Sequence, residues 1–171
     1  MSNPNKDKGT AWESTVRDFL NRSLGLVDPT GRFLNPASAD NVRRAAQEGA
    51  RDVGDIHCYP FILECKDVKS PAVPTWIRQG LAEADHAGFP LSAVVHKRRN
   101  HGAGTGRVHF SVSTWTAIRN SLGMPVDDAV CLYGADYTAR GTDTSRWYVT
   151  ISLADFADLL SDIRGAQRVV R

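Results

Sequence analysis

Two acidic residues and a lysine occur within one apolar stretch, GDIHCYPFILECK, which spans residues 54–66. In a β-strand successive side chains point to opposite faces, so Glu64 and Lys66 lie on one face and Phe61 and Cys65 on the other. Burying ionised side chains without partners is costly in free energy. The pattern therefore indicates a site where something offsets the cost of these charges.

A turn at residues 59–60 would bring two carboxylates together. If the turn contains two residues, the antiparallel partner of Glu64 is Asp55, with Cβ atoms roughly 5 Å apart. A longer turn would shift this pairing, because proline fits the second turn position poorly. Mg²⁺ takes oxygen ligands and keeps several waters, which suits the two carboxylates and the backbone carbonyl of Cys65. Lys66 would then lie beside the cation and its water.

A third carboxylate comes from the first predicted helix, residues 10–24, whose apolar side chains share one arc. Glu13 falls inside that arc, between Leu20 and Leu24 in angle. A carboxylate on the core-facing side needs a partner, and the metal site is one available partner. The alternative is that Glu13, in the first helical turn where acids favour the helix dipole, extends to water.

The elements that must position these residues follow from hydrophobic periodicity and from glycine and proline punctuation. A loop is expected over 25–41, a strand pair over 51–66, a glycine-rich mobile loop over 98–107 and mostly irregular chain over 124–145. Further strands are predicted at 91–97, 108–112 and 147–151, and helices at 75–87, 114–122 and 153–164. The inner face of the 75–87 helix is expected to contain Trp76, Ile77, Gly80, Leu81 and Ala84.

Composition favours one ordinary domain over residues 1–171, with 42% hydrophobic residues. The formal net charge of +2 comes from 21 basic and 19 acidic residues, so a nucleic-acid surface would have to be a local basic patch. Three cysteines without C-x-x-C spacing argue against a disulfide framework and a zinc site. Without a membrane-spanning run or a signal-peptide pattern, we expect a cytoplasmic protein that does not bind membranes.

Asp55 followed by Glu64-Cys65-Lys66 resembles the D…E-x-K signature of the PD-(D/E)XK nuclease superfamily. The stretch KGTAWE, residues 8–13, is similar to the K-G-x-x-x-E helix start of archaeal-type and phage Holliday junction resolvases. Residues 49–56 and 94–100 are also similar to phage junction resolvases, so the resemblance covers roughly residues 6–100. Gly54 stands before Asp55 where the signature has proline, at a position that varies in the superfamily.

The resemblance implies an α/β (α+β) fold with a restriction-endonuclease-like core, in which helices flank a mixed sheet of about four core strands. It implies a Mg²⁺-dependent endodeoxyribonuclease, with Mn²⁺ able to substitute, that acts on branched DNA in recombination, in the host cytoplasm if phage-encoded. Asp55 and Glu64 would ligate the metal. Glu13 would ligate it or orient its water, and Lys66 would position or activate the attacking water.

The same catalytic residues serve other activities, so alternatives stay open. One is an end-processing exonuclease or a restriction-like endonuclease, and another is a non-catalytic DNA-binding module with the same fold. Gln79 and Glu83 lie one turn apart on the flank of the second predicted helix, and Gln79 is a further candidate site residue, against simple surface decoration. Candidate phosphate contacts, against solvated surface charge, are Arg43, Arg44, Arg51, Lys97, Arg98, Arg99 and Arg107.

A homodimer is expected, because resolving a four-way junction takes two symmetric nicks and a C₂ pair of sites supplies that symmetry. Four apolar residues of the 124–145 segment either cover a partner or pack on the core, and core packing is the favoured interpretation. They are Val126, Val130, Leu132 and Tyr133.

Overall fold

A computed structural model describes residues 4–45 and 53–169, with the side chains of 9–45 and 53–167. The helices are α1 (Pro4–Ser23), α2 (Val73–Ala87), α3 (Val112–Ser121), α4 (Val126–Tyr133) and α5 (Leu153–Val169). The strands are β1 (Arg43–Arg44), β2 (Ile56–Cys58), β3 (Phe61–Lys66), β4 (Leu91–His96), β5 (Arg107–Ser111), β6 (Asp136–Thr138) and β7 (Tyr148–Ser152). Single 3₁₀ turns occur at Ala103–Thr105 and Thr144–Arg146.

Within the described residues, seven strands form one mixed sheet in the order β1-β2-β3-β4-β5-β7-β6. β3 and β4 are parallel and the other neighbours are antiparallel, because α2 provides the crossover that a parallel pair needs. The predicted α/β (α+β) class, a mixed sheet flanked by helices, is confirmed. The expectation of irregular chain over 124–145 is wrong, since that segment forms α4, β6 and a 3₁₀ turn.

The two faces of β3 face different surroundings. Phe61, Leu63 and Cys65 belong to the main hydrophobic core, which also contains residues of α1 and α5. Glu64 lies on the opposite face, which α2 covers; there Val73, Trp76 and Ile77 of α2 pack with Val94 of β4 in a smaller apolar cluster. The alternation expected for this strand therefore separates the apolar core from the charged side chains.

α2 approaches the sheet with a face that differs from the predicted one in one respect. Trp76, Ile77, Gly80 and Ala84 are buried as expected. Leu81, however, is 41% exposed, and Glu83 is buried in its place with only 2% exposure. An acidic residue therefore lies on the inner face of α2.

The glycine-rich segment packs against α1 instead of forming the free loop that its composition indicates. A Cβ atom on Gly104 would lie 3.1 Å from Cζ of Phe19, and one on Gly106 would lie 3.2 Å from the Trp12 ring. The backbone can approach these rings closely because both positions lack a side chain. In the described ranges, no helix has the length and apolar character needed to cross a membrane.

Candidate active site

The turn between β2 and β3 fixes which residues meet. Tyr59–Pro60 is a two-residue turn with a cis peptide bond. Cys58 lies opposite Phe61, and Ile56 lies opposite Leu63. This is the register predicted for a two-residue turn, and it brings the residue before β2 to the level of the E-x-K segment at the end of β3.

Asp55 turns its carboxylate toward the end of β3. Its backbone amide donates to the Leu63 carbonyl at 3.1 Å, and its Oδ2 accepts from the Cys65 amide at 2.7 Å. Gly54 makes this bend possible, with φ of +76°. A Cβ atom on Gly54 would lie 2.3 Å from Cγ2 of Ile62, so a side chain there would force the two strands apart.

Glu64, Lys66 and Gln79 bond to one another. The Lys66 ammonium donates to Glu64 Oε1, and Gln79 Nε2 donates to the same oxygen at 3.4 Å. Lys66 Nζ also lies 3.5 Å from Gln79 Oε1. The Glu64 side chain is only 7% exposed, against 19% for Lys66. The structure thus places Gln79, from α2, beside both ionisable residues of the E-x-K segment.

Glu83, on α2, is a second buried acid beside Glu64, and sequence analysis does not identify it as a site residue. It lies one turn beyond Gln79, a spacing that puts both side chains on one side of the helix. Between them, Gly80 packs on the sheet, since a Cβ atom there would lie in ordinary contact with the Glu64 Cβ at 3.9 Å. A Cβ atom on Gly54 would lie 3.5 Å from Glu83 Oε2, so the Glu83 carboxylate lies close to the bend that precedes Asp55.

The pKa values of Asp55 and Glu64 are raised by burial and by neighbouring acids. Burial, then the charge of Glu64 and, more weakly, that of Glu13, raises the pKa of Asp55 to about 7. The amide of Cys65 and the charge of Lys66 oppose this rise. Burial is also the main cause that raises the pKa of Glu64. Positive charge brought to this site would favour the ionised carboxylates.

Glu13 lies beside the same acids but has a partner on β1. Its side chain is 15% exposed, and its Oε2 accepts from Arg44 Nη2 at 2.5 Å. After burial, the charges of Asp55, Glu64 and Glu13 raise the pKa of the Cys65 thiol. Glu13 therefore does not extend freely to water, and Arg44 is its cationic partner.

The donor set suits a hard cation, although the side chains are not arranged as ligands. Within the part of the chain that is described, no group of three or more His, Cys, Asp or Glu side chains is placed to hold a metal ion. Each carboxylate has a protein donor instead: Arg44 for Glu13, the Cys65 amide for Asp55 and Lys66 for Glu64. Carboxylate and carbonyl oxygens are the donors that Mg²⁺ and Mn²⁺ prefer. The metal site stays a prediction.

The predicted phosphate contacts fall into separate groups. Lys97 and Arg99 both bind Asp67, at 2.8 and 3.3 Å, and Lys97 also lies 5.7 Å from the centre of the Trp12 ring. Arg98 is exposed next to them. Arg51 lies outside the described residues. Arg43 and Arg44 are both on β1, at the edge of the sheet.

The four apolar residues considered for a dimer contact differ in how far they are buried. Tyr133 is 3% exposed and its hydroxyl donates to Asp162 at 2.6 Å, which confirms core packing for this residue. The packing interpretation is wrong for the other three, because Val126, Val130 and Leu132 are 46%, 40% and 64% exposed on α4.

No family model, curated protein or solved structure matches the chain. The relationship to PD-(D/E)XK nucleases therefore stays a prediction. The functional evidence for this chain is the geometry around Asp55, Glu64 and Lys66.

Proposed function

We propose that this protein is a metal-dependent DNA endonuclease that hydrolyses phosphodiester bonds in branched DNA. The supporting observation is that Asp55, Glu64 and Lys66 converge where β2 begins and β3 ends, through the Gly54 bend and the two-residue turn. The preference for four-way junctions comes from the resemblance to junction resolvases.

The hydrolysis needs a water nucleophile, charge neutralisation at the phosphate and help for the leaving oxygen. Asp55, Glu64 and the carbonyl of Cys65 would hold the cation, because they supply clustered oxygen donors. Burial and the neighbouring Glu64 charge also make the ionised Asp55 carboxylate unfavourable, and a cation would offset this free-energy cost. Mg²⁺ or Mn²⁺ supplies, when bound, positive charge that acidifies water and offsets the charge on the phosphate.

Lys66 would position the attacking water and the phosphate. Its ammonium is held at the site by Glu64 and Gln79 rather than free in solvent. These two bonds limit the orientations of the otherwise flexible lysine, whose ammonium can donate to a phosphate oxygen or to water. Gln79 would then act as a positioning residue, since it contacts both Lys66 and Glu64.

A non-catalytic DNA-binding module is the second candidate. It is favoured by one observation: the carboxylates of Glu13, Asp55 and Glu64 are bound to protein donors, and within the described residues they form no preformed set of three metal ligands. In that case the acids and Lys66 would serve only as an ion-paired structural cluster.

A substrate panel separates the two candidates. Labelled four-way junction, linear duplex, flap and single strand would each be incubated with Mg²⁺, Mn²⁺ or EDTA. We expect cleavage of the junction with either metal and none in EDTA. Trimming of linear ends with an intact closed junction would favour the exonuclease alternative, and binding without cleavage under every condition would favour the non-catalytic module.

Variants test whether the activity belongs to this site. Lys66→Ala should abolish cleavage while junction binding and the folded circular dichroism spectrum persist. Arg140→Ala is the matched control, because it also removes one positive charge, at an exposed residue just after β6 at the opposite edge of the sheet. Equal loss of cleavage in both variants would argue against a catalytic role of Lys66.

A further inference from the structure

A cleft beside the candidate active site contains a concentration of arginines. It encloses about 540 Å³ between α1, the 26–33 segment and β1. The lining contains four guanidinium groups and one carboxylate, Asp18, which pairs with Arg17 at 2.7 Å, so the lining keeps a net positive charge. The charged and aromatic lining residues are Arg17, Asp18, Arg22, Phe33, Arg43 and Arg44.

The fold holds two of these arginines against α1. Asn21, only 3% exposed, donates to the Val42 carbonyl at 2.8 Å and accepts from the Val42 amide at 3.0 Å. These two bonds fix the chain just before β1, so Arg43 and Arg44 follow beside the helix. Arg43 also lies over the Phe33 ring, 4.9 Å from its centre, which limits the orientations of its guanidinium group.

The cleft leads to the active site through Arg44. This residue lines the cleft and also binds Glu13 at 2.5 Å. A polyanion in the cleft would therefore extend toward the carboxylates and Lys66. The planar guanidinium group of arginine presents paired N–H donors that match two oxygens of a phosphate, and it stays charged at any physiological pH.

We propose that this arginine cleft, with Arg17 and Arg22 of α1 as its outer contacts, binds the phosphate backbone of a nucleic-acid strand next to the bond that is cleaved. The inference rests on the proposed function, since it adds a binding surface to the same site. A strand is favoured over a free phosphate or nucleotide because the arginines are spread along an open cleft that continues to the site.

Binding in EDTA tests the cleft separately from cleavage. Fluorescence anisotropy would measure the affinity of labelled duplex and four-way junction for the full chain between 50 and 300 mM salt. We expect Arg17→Ala/Arg22→Ala to weaken binding about tenfold and to reduce the slope of log affinity against log salt by about 1.5, as two lost phosphate contacts require. Arg17→Lys/Arg22→Lys should retain most of the affinity.

The control removes the same two charges elsewhere. Arg140→Ala/Arg146→Ala lies near β6 and β7, at the opposite end of the sheet, and both arginines are exposed. Unchanged affinity in the Arg17/Arg22 variant, or an equal loss in the control, would overturn the proposal. So would competition by inorganic phosphate or ATP as effective as that by DNA of the same phosphate concentration, or tighter binding of an acidic peptide than of DNA.

The outcomes also separate this inference from the proposed function. Metal-dependent cleavage by a variant with normal DNA affinity would refute the cleft and keep the nuclease. Arg17- and Arg22-dependent binding by a wild-type protein that never cleaves would refute the nuclease and keep the cleft.

Discussion

Replacing Asp55 by asparagine should stabilise the metal-free protein above neutral pH. Asp55 lies among other acids, and its folded-state pKa is raised from 3.8 to about 7. A carboxyl group with a raised folded pKa contributes stability below its unfolded pKa and loses that contribution as pH rises toward the folded pKa. The penalty should therefore grow from about pH 4 to pH 7 and then level off.

The size of the effect follows from the shift. About three pKa units correspond to roughly 4 kcal/mol, which is an upper limit for the ionised form. The gain in stability from Asp55→Asn is smaller than this limit. The neutral oxygen of asparagine accepts the hydrogen bond from the Cys65 amide less strongly than a carboxylate does, which costs about 1 kcal/mol. Water also reaches the half-buried side chain. We therefore expect Asp55→Asn to be about 2 kcal/mol more stable at pH 8.

Urea unfolding in EDTA at pH 4 and pH 8 measures this difference. The two proteins should be nearly equal at pH 4. Asp67→Asn is the matched control, because Asp67 is bound by Lys97 and Arg99 and its loss should instead destabilise the protein by about 1–3 kcal/mol. At pH 8, Mn²⁺ should stabilise the wild type more than Asp55→Asn. A destabilised Asp55→Asn at pH 8 would refute the reasoning that Asp55 is held at a cost.

Three further predictions concern the core, the glycine-rich segment and α4. Burial lowers the pKa of His109 to about 3, so only the unfolded chain takes up this proton below about pH 6.5, and the free energy of unfolding should fall toward pH 4 less steeply in His109→Gln. Gly104→Ala should cost about 1–2 kcal/mol in urea titrations by crowding Phe19, whereas Gly102→Ala, with open space at its Cβ, should stay within about 0.5 kcal/mol of wild type. Light scattering should report twice the chain mass of 18.7 kDa and a monomer for Leu132→Asp; a wild-type monomer would contradict the homodimer.

Local signals are enough to predict most of the sheet and its turn. Alternation along β3 and the two-residue turn predict which residues lie opposite each other, since both depend on neighbours in sequence. α4 shows how such signals are overlooked: Pro125 and the acids Asp127 and Asp128 are typical of a helix start. The helix has only eight residues, so its periodicity is weak.

The inner acid of α2 could not be predicted in the same way. Periodicity assigns Leu81 to the core and Glu83 to the flank, because it ranks side chains by polarity. The observed burial of Glu83 depends on Gly54 and Glu64, which belong to other elements. The inner face of α2 thus includes Glu83 at one edge and leaves Leu81 exposed at the other.

The partner of Glu13 shows the same limit. Helical periodicity correctly indicates that Glu13 lies on the inner side of α1, but Arg44 is 31 residues away in sequence. Their contact depends on the two hydrogen bonds between Asn21 and Val42, which no local pattern predicts. For this reason Arg17 and Arg22 are recognised as part of a basic cleft only in the folded chain.

The most direct test of the proposed nuclease is single-turnover cleavage of a labelled four-way junction by wild type and Glu64→Gln. Both proteins would be held at saturating concentration, so that differences in binding do not enter the rate. We predict cleavage by the wild type in Mg²⁺ or Mn²⁺, and a rate at least about a thousandfold lower for Glu64→Gln, as expected when a group that acts on the transition state is lost. Wild-type cleavage in EDTA, or an unchanged rate for Glu64→Gln with metal, would contradict a metal-dependent site built on Asp55, Glu64 and Lys66.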